Sequence, residues 1–341
     1  MGLEVAVTGR QPLALVTGAT GAIGPPVVEA FRASGFSIRT LSLDPPPAGR
    51  RPEGVDARTG DVTDPAAVAA AMQDVDSVIH MAALLHIANP PSSLQERYDR
   101  INVGGTSTVA GAAMQAGVRR VVLFSTIAVY GPSHGHVLTE DTPPRPDTVY
   151  ARTKLAAERI VLEAKSEDGR RMGVVLRLGA VYGSRIKGNY QRLVRSLARG
   201  RFIPVGDGSN RRSLIYDKDV GRAAMLAATH ANAAGRIFNV TDGQFHSMKT
   251  IIATLCDALG RTPPGFALPL SPALRATAML EKTLKRIHLP TPLTADALSK
   301  YAEDMAVDSR RIQQELGFIP GYDLAAGWRE TVQEMRRAGA L

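Results

Sequence analysis

The stretch Leu13-Ala-Leu-Val-Thr-Gly-Ala-Thr-Gly-Ala-Ile-Gly24 decides the fold of this chain. Its apolar start predicts a buried strand, three glycines predict a turn, and a helical pattern begins just after the last glycine. A strand, a glycine-rich turn and a helix in this order are typical of dinucleotide binding, because the helix N-terminus approaches a pyrophosphate. Because glycine has no Cβ, we expect Gly18, Gly21 and Gly24 to leave that approach unobstructed. The alternative is a tight turn with a purely structural purpose.

Composition narrows the class of protein. The chain has 341 residues, of which 44% are hydrophobic and 21% charged, as in a soluble globular protein with one large or two unequal domains. Its single cysteine, Cys256, excludes an intrachain disulfide and a cysteine-based metal site, and no metal is expected. No apolar run reaches the ~18 residues of a membrane span, and no secretory signal pattern opens the chain, so the cytoplasm is the expected location.

The net charge of +9 favours an anionic partner but does not identify it. There is no zinc-finger spacing, no aromatic RNA-binding motif and no basic tail, so we expect no nucleic-acid partner. A small anionic ligand in a basic cleft explains the charge more economically.

Apolar strand patterns alternate with helical patterns through the first half, which predicts an α/β protein. The expected fold is a Rossmann-type doubly wound parallel sheet with a smaller α-rich C-terminal part. Residues 1–182 are expected to bind the dinucleotide, and residues 183–341 mainly the substrate, with a strand near 235–241 returning to the main sheet.

Two carboxylates follow predicted strands. Asp44, which ends the second strand 26 residues after Gly18, is placed to accept hydrogen bonds from the adenosine ribose, and therefore favours NAD over NADP. The alternative is an Asp that starts a turn before the prolines at 45–47. Asp61, after the third strand, is expected near the adenine.

Tyr150-Ala-Arg-Thr-Lys154 places a phenol and an ammonium one helical turn apart on one face. The ammonium is expected to lower the pKa of Tyr150, and the positive charge of an oxidised nicotinamide would act in the same direction. The phenolate can then remove the proton of an alcohol whose hydride leaves to the nicotinamide.

The Gly-x-x-Gly-x-x-Gly turn and the Tyr-x-x-x-Lys pair resemble the extended short-chain dehydrogenases/reductases of the NAD-dependent epimerase/dehydratase type. Further matching segments are His80-Met-Ala-Ala83, Phe124-Ser-Thr-Ile-Ala-Val-Tyr-Gly131, Arg177-Leu-Gly-Ala-Val-Tyr-Gly183, the run 206–220 and the run 308–320. The resemblance extends from about residue 13 to residue 335. It implies the cofactor NAD and a catalytic trio of Thr126, Tyr150 and Lys154. The residues that it places against the cofactor are Gly18, Gly21, Ala22, Ile23, Gly24, Asp44, Asp61, Val62, Ala82, Ala83, Asn102, Tyr150 and Lys154.

Departures from the family pattern narrow the reaction. This chain has Thr126, Ile127 and Ala128 at positions where the sugar-nucleotide dehydratases of the family that it resembles have Thr-Asp-Glu. Since Ile127 and Ala128 cannot transfer a proton, dehydration by that mechanism is not expected. Arg212 matches an arginine that contacts the substrate diphosphate in related enzymes; a solvated loop arginine is the alternative. Ala180 stands where hexose epimerases carry an asparagine against the substrate.

The resemblance implies a nucleotide-sugar 4-epimerase, with Thr126, Tyr150, Ala180 and Arg212 at the substrate and a homodimer as the assembly. Two alternatives stay open. One is an oxidoreductase, either a 4-keto-sugar reductase or a 3β-hydroxysteroid-type dehydrogenase, that uses the same trio. The other is a non-catalytic NAD-sensing relative.

Two other patterns are ambiguous. The segment 274–288 has apolar and basic residues at helical spacing, which suits a helix on a membrane surface or beside a lipid-like substrate, or a domain helix with a solvated basic face. His134 and His136 have metal-ligand types but no further ligand at suitable spacing, so a loop over the active site is favoured.

Overall fold

The computed structural model describes residues 10–45, 54–85, 94–286 and 294–341. Its strands are β1 (Leu13–Thr17), β2 (Ser37–Ser42), β3 (Val55–Thr59), β4 (Ser77–His80), β5 (Arg120–Thr126), β6 (Val137–Leu138), β7 (Gly173–Leu178), β8 (Ala180–Tyr182), β9 (Arg211–Arg212), β10 (Leu214–Tyr216), β11 (Ile237–Val240), β12 (His246–Ser247) and β13 (Ala306–Val307).

The α-helices are α1 (Gly24–Ala33), α2 (Pro65–Met72), α3 (Gln95–Tyr98), α4 (Gly105–Gln115), α5 (Val149–Glu163), α6 (Asn189–Ala198), α7 (Asp217–Thr229), α8 (Met248–Leu259), α9 (Leu270–Arg286), α10 (Ala295–Ala302), α11 (Arg310–Leu316) and α12 (Leu324–Arg337). A π-helical stretch, Asp99–Gly104, joins α3 to α4, and 3₁₀ turns span Ile127–Tyr130 and Ala231–Ala233.

Seven parallel strands form the central sheet in the order β11-β7-β5-β4-β1-β2-β3. The chain leaves β1 toward β2 and β3 on one side, and later places β4, β5, β7 and β11 on the other. A ligand crevice is expected outside the carboxyl ends of the strands where this order reverses, at β1 and β4. The predicted doubly wound parallel sheet is confirmed.

Alternating side chains of the strands face two helical layers. In β1, Ala14 and Val16 pack in the core that contains α1, α7 and α11, whereas Leu13 and Leu15 pack in the core that contains α2, α4 and α5. Both faces of the strand are buried, which explains why its sequence is a continuous apolar run rather than an alternating one.

The C-terminal half returns to this sheet more extensively than expected. Strand β11 pairs with β7 at the sheet edge, and α7 packs on α1. The approach is close at Gly221, where a Cβ would lie 2.6 Å from the carbonyl oxygen of Pro26. A single division at 182/183 therefore does not separate the two parts, and the extent of the substrate-binding part is a proposal.

The remaining elements form a second core around Tyr182, Trp328 and the buried faces of α6, α8 and α12. Three two-stranded sheets, β8–β10, β9–β12 and β6–β13, connect this part to the central sheet. None of the described helices combines the length and the apolar character that crossing a bilayer requires.

Candidate active site

The glycine turn connects β1 to α1 at the reversal point of the sheet. Gly18 has φ of 72°, and its amide donates to the carbonyl of Leu41 at 2.8 Å. A Cβ on Gly18 would lie 2.9 Å from the backbone of Ala82, and one on Gly24 would lie 1.8 Å from the carbonyl oxygen of Ala19. Gly18 and Gly24 are therefore required by the packing of the protein's own backbone. That the glycines also admit the pyrophosphate stays a prediction.

The N-terminus of α1 is open toward this turn. Pro25 and Pro26 occupy its first turn, its Ncap residue Ile23 provides no side-chain cap, and no acidic residue lies in the first turn. Within the described residues, the amides of Ala22 and Ile23 meet no hydrogen-bond acceptor. Free amides at the positive end of a helix form a site for a phosphate group, so this cradle fits the pyrophosphate of NAD.

The two predicted adenosine-side carboxylates follow adjacent strands. Asp44 is exposed, two residues beyond the end of β2, and Asp61 is half-buried, two residues beyond β3. Asp61 accepts a hydrogen bond from the amide of Thr63 at 2.9 Å. Val62 is buried and packs against Gly105, so a contact with the cofactor would involve its backbone. Their cofactor roles stay predictions.

A buried chain of hydrogen bonds supports the end of β4. The Thr106 hydroxyl donates to the carbonyl of Asn102 at 2.6 Å and therefore accepts from Nε2 of His80 at 3.0 Å. Nδ1 of His80 then accepts from the Thr17 hydroxyl at 2.8 Å, and that oxygen accepts from the amide of Ala82. Burial, with a smaller contribution from Lys154, lowers the pKa of His80 to about 3. His80 is thus a neutral structural residue.

Asn102 forms hydrogen bonds to the segment after β4 that is predicted to line the cofactor. Its side-chain oxygen accepts from the amide of Leu84 at 2.7 Å, while its nitrogen donates to the carbonyl of Leu84 and to the hydroxyl of Thr153, both at 3.1 Å. Both amide protons are therefore engaged by the protein. Asn102 therefore holds the segment that contains Ala82 and Ala83 against α5. The sequence alone does not indicate this role.

The predicted catalytic trio lies at the carboxyl edge of the sheet. Thr126 ends β5, and its hydroxyl oxygen accepts from the amide of Ala128 at 3.2 Å. Thr148 caps α5, so Tyr150 is the second residue of that helix and Lys154 lies one turn further along it. The 3₁₀ turn after Thr126 packs against α5, which brings these elements together.

The expected lowering of the Tyr150 pKa is wrong for the protein chain alone. Burial, followed by the neighbouring Tyr98, raises the pKa of Tyr150 to about 12. Burial lowers the pKa of Lys154 to about 8, which Glu158 partly opposes. Loss of hydration disfavours the charged phenolate. The helical spacing predicted the pair correctly, but it carried no information about burial.

Helix α5 also contributes one partner of a buried ion pair. Nη2 of Arg177 lies 2.6 Å from Oε2 of Glu158, and the Ser125 hydroxyl donates to the same carboxylate. The Arg177 guanidinium also lies over the ring of Tyr130, 4.7 Å from its centroid. Burial opposes the charge, but the Glu158 hydrogen bonds hold the pKa of Arg177 above its ordinary value. In the sequence Arg177 is recognisable only as part of a motif, and no pattern there indicates its pairing with Glu158.

Arg212 lies in β9, half-buried, and not in a solvated loop. Its Nη2 donates to the carbonyls of Lys300 at 2.6 Å and Tyr301 at 2.8 Å, at the end of α10. Burial raises the pKa of Glu303, and the charges of Arg212 and Asp147 act on it in opposite directions. Glu303 therefore lies within electrostatic range of Arg212 and of Asp147, which precedes α5 by two residues.

Ala180 begins β8 and pairs with Leu214 of β10. It is half-buried and packs against the second core. The predicted substrate residues Ala180 and Arg212 therefore lie on two adjacent strand pairs of the C-terminal part. Their contacts with a substrate stay predictions. Among the described residues, no group of three or more His, Cys, Asp and Glu side chains is arranged to hold a metal ion.

A family model extends the assignment beyond geometry. Residues 14–241, more than half of the chain, match the model of the NAD dependent epimerase/dehydratase family. The chain belongs to this family. NAD is its cofactor, and the glycine cradle at the helix N-terminus is the part of the structure that fits it.

Family members with different reactions resemble the chain equally. It is 26% identical to the N-acetyl-α-D-glucosaminyl-diphospho-ditrans,octacis-undecaprenol 4-epimerase of Escherichia coli O157:H7, a match covering 94% of each chain. It is also 26% identical to a 3β-hydroxysteroid dehydrogenase/Δ5→4-isomerase of Mycobacterium tuberculosis, covering 93% of this chain and 88% of that one. Among solved structures, MoeE5 in complex with UDP-glucuronic acid and NAD is 28% identical, with a TM-score of 0.75 and coverage of 95% and 99%.

Proposed function

We propose that the protein is an NAD-dependent epimerase that inverts the C4 hydroxyl carbon of a nucleotide sugar through a transient keto intermediate. The observation that carries the proposal is the packing of α5, which contains Tyr150 and Lys154, against the 3₁₀ turn that follows Thr126. The residues that follow Thr126 are the buried Ile127 and the half-buried Ala128, and neither can add or remove a proton. The trio is sufficient for an oxidation followed by a reduction at one carbon.

Tyr150 moves the proton in this mechanism. It takes the proton of the C4 hydroxyl while the carbonyl forms, and returns it to the same oxygen when the carbon is rebuilt with opposite configuration. When bound, NAD supplies the hydride acceptor, which becomes the donor after reduction, and in its oxidised form the positive charge that favours the Tyr150 phenolate.

Thr126 and Lys154 hold the reacting groups in place. The Thr126 oxygen already accepts from Ala128, so its own proton is free to bond the substrate oxygen. Lys154 has a pKa of about 8 and is mainly charged at neutral pH, where it can hold the nicotinamide ribose and stabilise the phenolate. Arg212 is proposed to anchor the diphosphate about which the keto sugar turns.

A one-way oxidoreductase is the second candidate. The small Ala180 side chain where an epimerase would contact the sugar favours it, and so does the equal similarity to a hydroxysteroid dehydrogenase. Its catalytic trio would be the same. The two functions differ in the cofactor, because an epimerase regenerates NAD in each cycle whereas a dehydrogenase must exchange it.

The first test is to denature the purified protein and identify the nucleotide that it releases. NAD in near-stoichiometric amount, together with C4 inversion in a panel of nucleotide sugars without added cofactor, would support the epimerase. Turnover that requires an added stoichiometric cofactor, with keto sugars or sterols as substrates, would contradict it and support the oxidoreductase.

A matched pair of variants tests the residue assignment. Tyr150→Phe should abolish turnover while NAD binding and the free energy of unfolding stay close to wild type. Tyr322→Phe makes the same chemical change near α12, far along the chain from the trio, and should leave turnover unchanged. Full turnover in Tyr150→Phe would remove Tyr150 from the mechanism and contradict the proposal.

A further inference from the structure

Helix α9 is unusual because the protein covers so little of it. Among its described side chains none is fully buried, although the helix extends over 17 residues. The half-buried side chains recur at helical spacing and define one face, which lies on α10. They are Leu270, Ala273, Leu274, Thr277, Glu281 and Leu284.

The opposite face of α9 combines positive charge with exposed apolar side chains. Arg275, Lys282 and Arg286 are exposed on it. Met279, which is 75% exposed, lies among them by helical position, and Leu280, 49% exposed, lies at the border of the half-buried face. The single acidic residue of the helix, Glu281, lies on the half-buried side and accepts from the amide of Ala295 at 3.2 Å. No negative charge of α9 therefore interrupts the basic face.

A second group of exposed apolar side chains lies just before α9. The amide of Leu268 donates to the carbonyl of Pro204 at 2.9 Å, and a bridge joins Leu268 to Val205, so two short segments lie side by side. They carry Ile203, Phe266 and Leu268, with exposures of 48%, 65% and 45%. We call these three residues, with Met279, Leu280 and the exposed Arg275, Lys282 and Arg286, the basic apolar surface.

The geometry points to an anionic lipid bilayer as the partner of the basic apolar surface. A helix that lies in a membrane interface places apolar side chains among the acyl chains and basic side chains at the headgroup phosphates. Each Lys or Arg near an anionic membrane contributes about a fivefold increase in binding. The charge complementarity favours a bilayer over a neutral protein surface, and the proposal does not depend on the reaction that the active site catalyses.

The first experiment measures binding of the full chain to vesicles. The protein should float with vesicles of phosphatidylglycerol in phosphatidylcholine, bind less as salt increases, and bind weakly to pure phosphatidylcholine. Met279→Glu combined with Leu280→Glu should reduce binding at least about tenfold. Ile319→Glu is the matched control, because Ile319 is 73% exposed but lies beyond α11 at the central sheet; it should bind like wild type.

The second experiment locates the contact. The chain has one tryptophan, Trp328, which is buried, so a tryptophan in place of Met279 reports separately on this surface. The fluorescence of Met279→Trp should shift to the blue with anionic vesicles and be quenched by brominated lipid, whereas that of Ile319→Trp should not. Equal responses from both probes would show unspecific adsorption by net charge and overturn the proposal.

Charge variants complete the test. Arg275→Gln with Lys282→Gln should weaken vesicle binding about 25-fold by loss of two charges, while Arg119→Gln with Lys165→Gln, exposed on the sheet domain, should have little effect. If Met279→Glu with Leu280→Glu instead dissociates an oligomer and leaves vesicle binding unchanged, the surface is an interface between copies of this chain and the proposal is wrong.

Discussion

Glu158 and Arg177 form an ion pair that is almost completely shielded from water, with Nη2 and Oε2 at 2.6 Å and side-chain exposures of 1% and 2%. Glu158 lies one helical turn after Lys154, so the pair lies next to the proposed catalytic residues of α5. Removing one partner from such a pair leaves a buried charge without compensation, which costs far more than the net contribution of the pair itself.

Glu158→Gln should therefore lower the free energy of unfolding by about 3–5 kcal/mol, measured by denaturant titration. The control is Asp168→Asn, which breaks an ion pair with Arg170 of the same 2.6 Å length but with exposures of 53% and 82%. That change should have little effect on the free energy of unfolding, because water screens the exposed pair. Equal losses in both variants would show that burial of the Glu158 pair has no energetic consequence.

Gly24→Ala should disrupt the dinucleotide turn, because the new Cβ would lie 1.8 Å from the carbonyl oxygen of Ala19. We expect a loss of about 3 kcal/mol of stability and weak NAD binding, measured by thermal unfolding and by titration with NAD. Gly111→Ala is the control, since Gly111 lies inside α4 with no atom within 4 Å of the added Cβ. It should stabilise the protein by up to about 1 kcal/mol. Normal NAD affinity in the Gly24→Ala variant would contradict the role of this close contact.

Asp217 should make the protein less stable as pH rises. Burial, followed by the charge of Glu334, raises the pKa of Asp217 from 3.8 to about 6, and its Oδ1 has no hydrogen-bond partner among the described residues. Between about pH 4 and pH 6 the folded chain keeps a proton that the unfolded chain has lost, so this contribution to stability decreases through that range.

Asp217→Asn cannot ionise, so its stability relative to wild type should increase by about 3 kcal/mol between pH 4 and pH 7. The measurement is urea unfolding of both proteins at several pH values. A difference that stays constant with pH would show that Asp217 titrates normally.

His80 should remain neutral, with its proton on Nε2, from pH 8 down to pH 5, because burial and Lys154 lower its pKa to about 3. Its contribution has the opposite sign to that of Asp217. The unfolded chain binds the proton first, so stability increases as pH rises from about 3 to about 6.5. Nitrogen-15 NMR of labelled histidine would test this, with His80→Gln to assign the signal. A titration midpoint above pH 5 would contradict the lowered pKa, and a neutral ring with its proton on Nδ1 would contradict the hydrogen-bond direction inferred through Thr17 and Thr106.

Local patterns predicted the fold well. The apolar run that begins at Leu13 corresponds to β1, because a strand that is buried on both faces is apolar throughout. The order of strands and helices was sufficient to predict a doubly wound sheet, since parallel strands need covered crossovers.

Sequence patterns predicted which residues belong to the candidate site, but not the burial and the hydrogen bonds of each residue. The spacing of Tyr150 and Lys154 fixed their common helix face. The direction of the Tyr150 pKa shift depends on burial and on Tyr98, which belongs to a different helix and is distant in sequence. The partners of Asn102 and Glu158 likewise come from other elements, and a single sequence without tertiary contacts contains no signal for them.

The position of β11 has a consequence for how this chain is made. The strand that completes the edge of the central sheet, and helix α7 that covers α1, both come from beyond residue 216. An N-terminal fragment of 182 residues would expose the hydrogen-bonding edge of β7 and the apolar face of α1, both of which favour aggregation. During synthesis, the central sheet can therefore be completed only after about two thirds of the chain has been made.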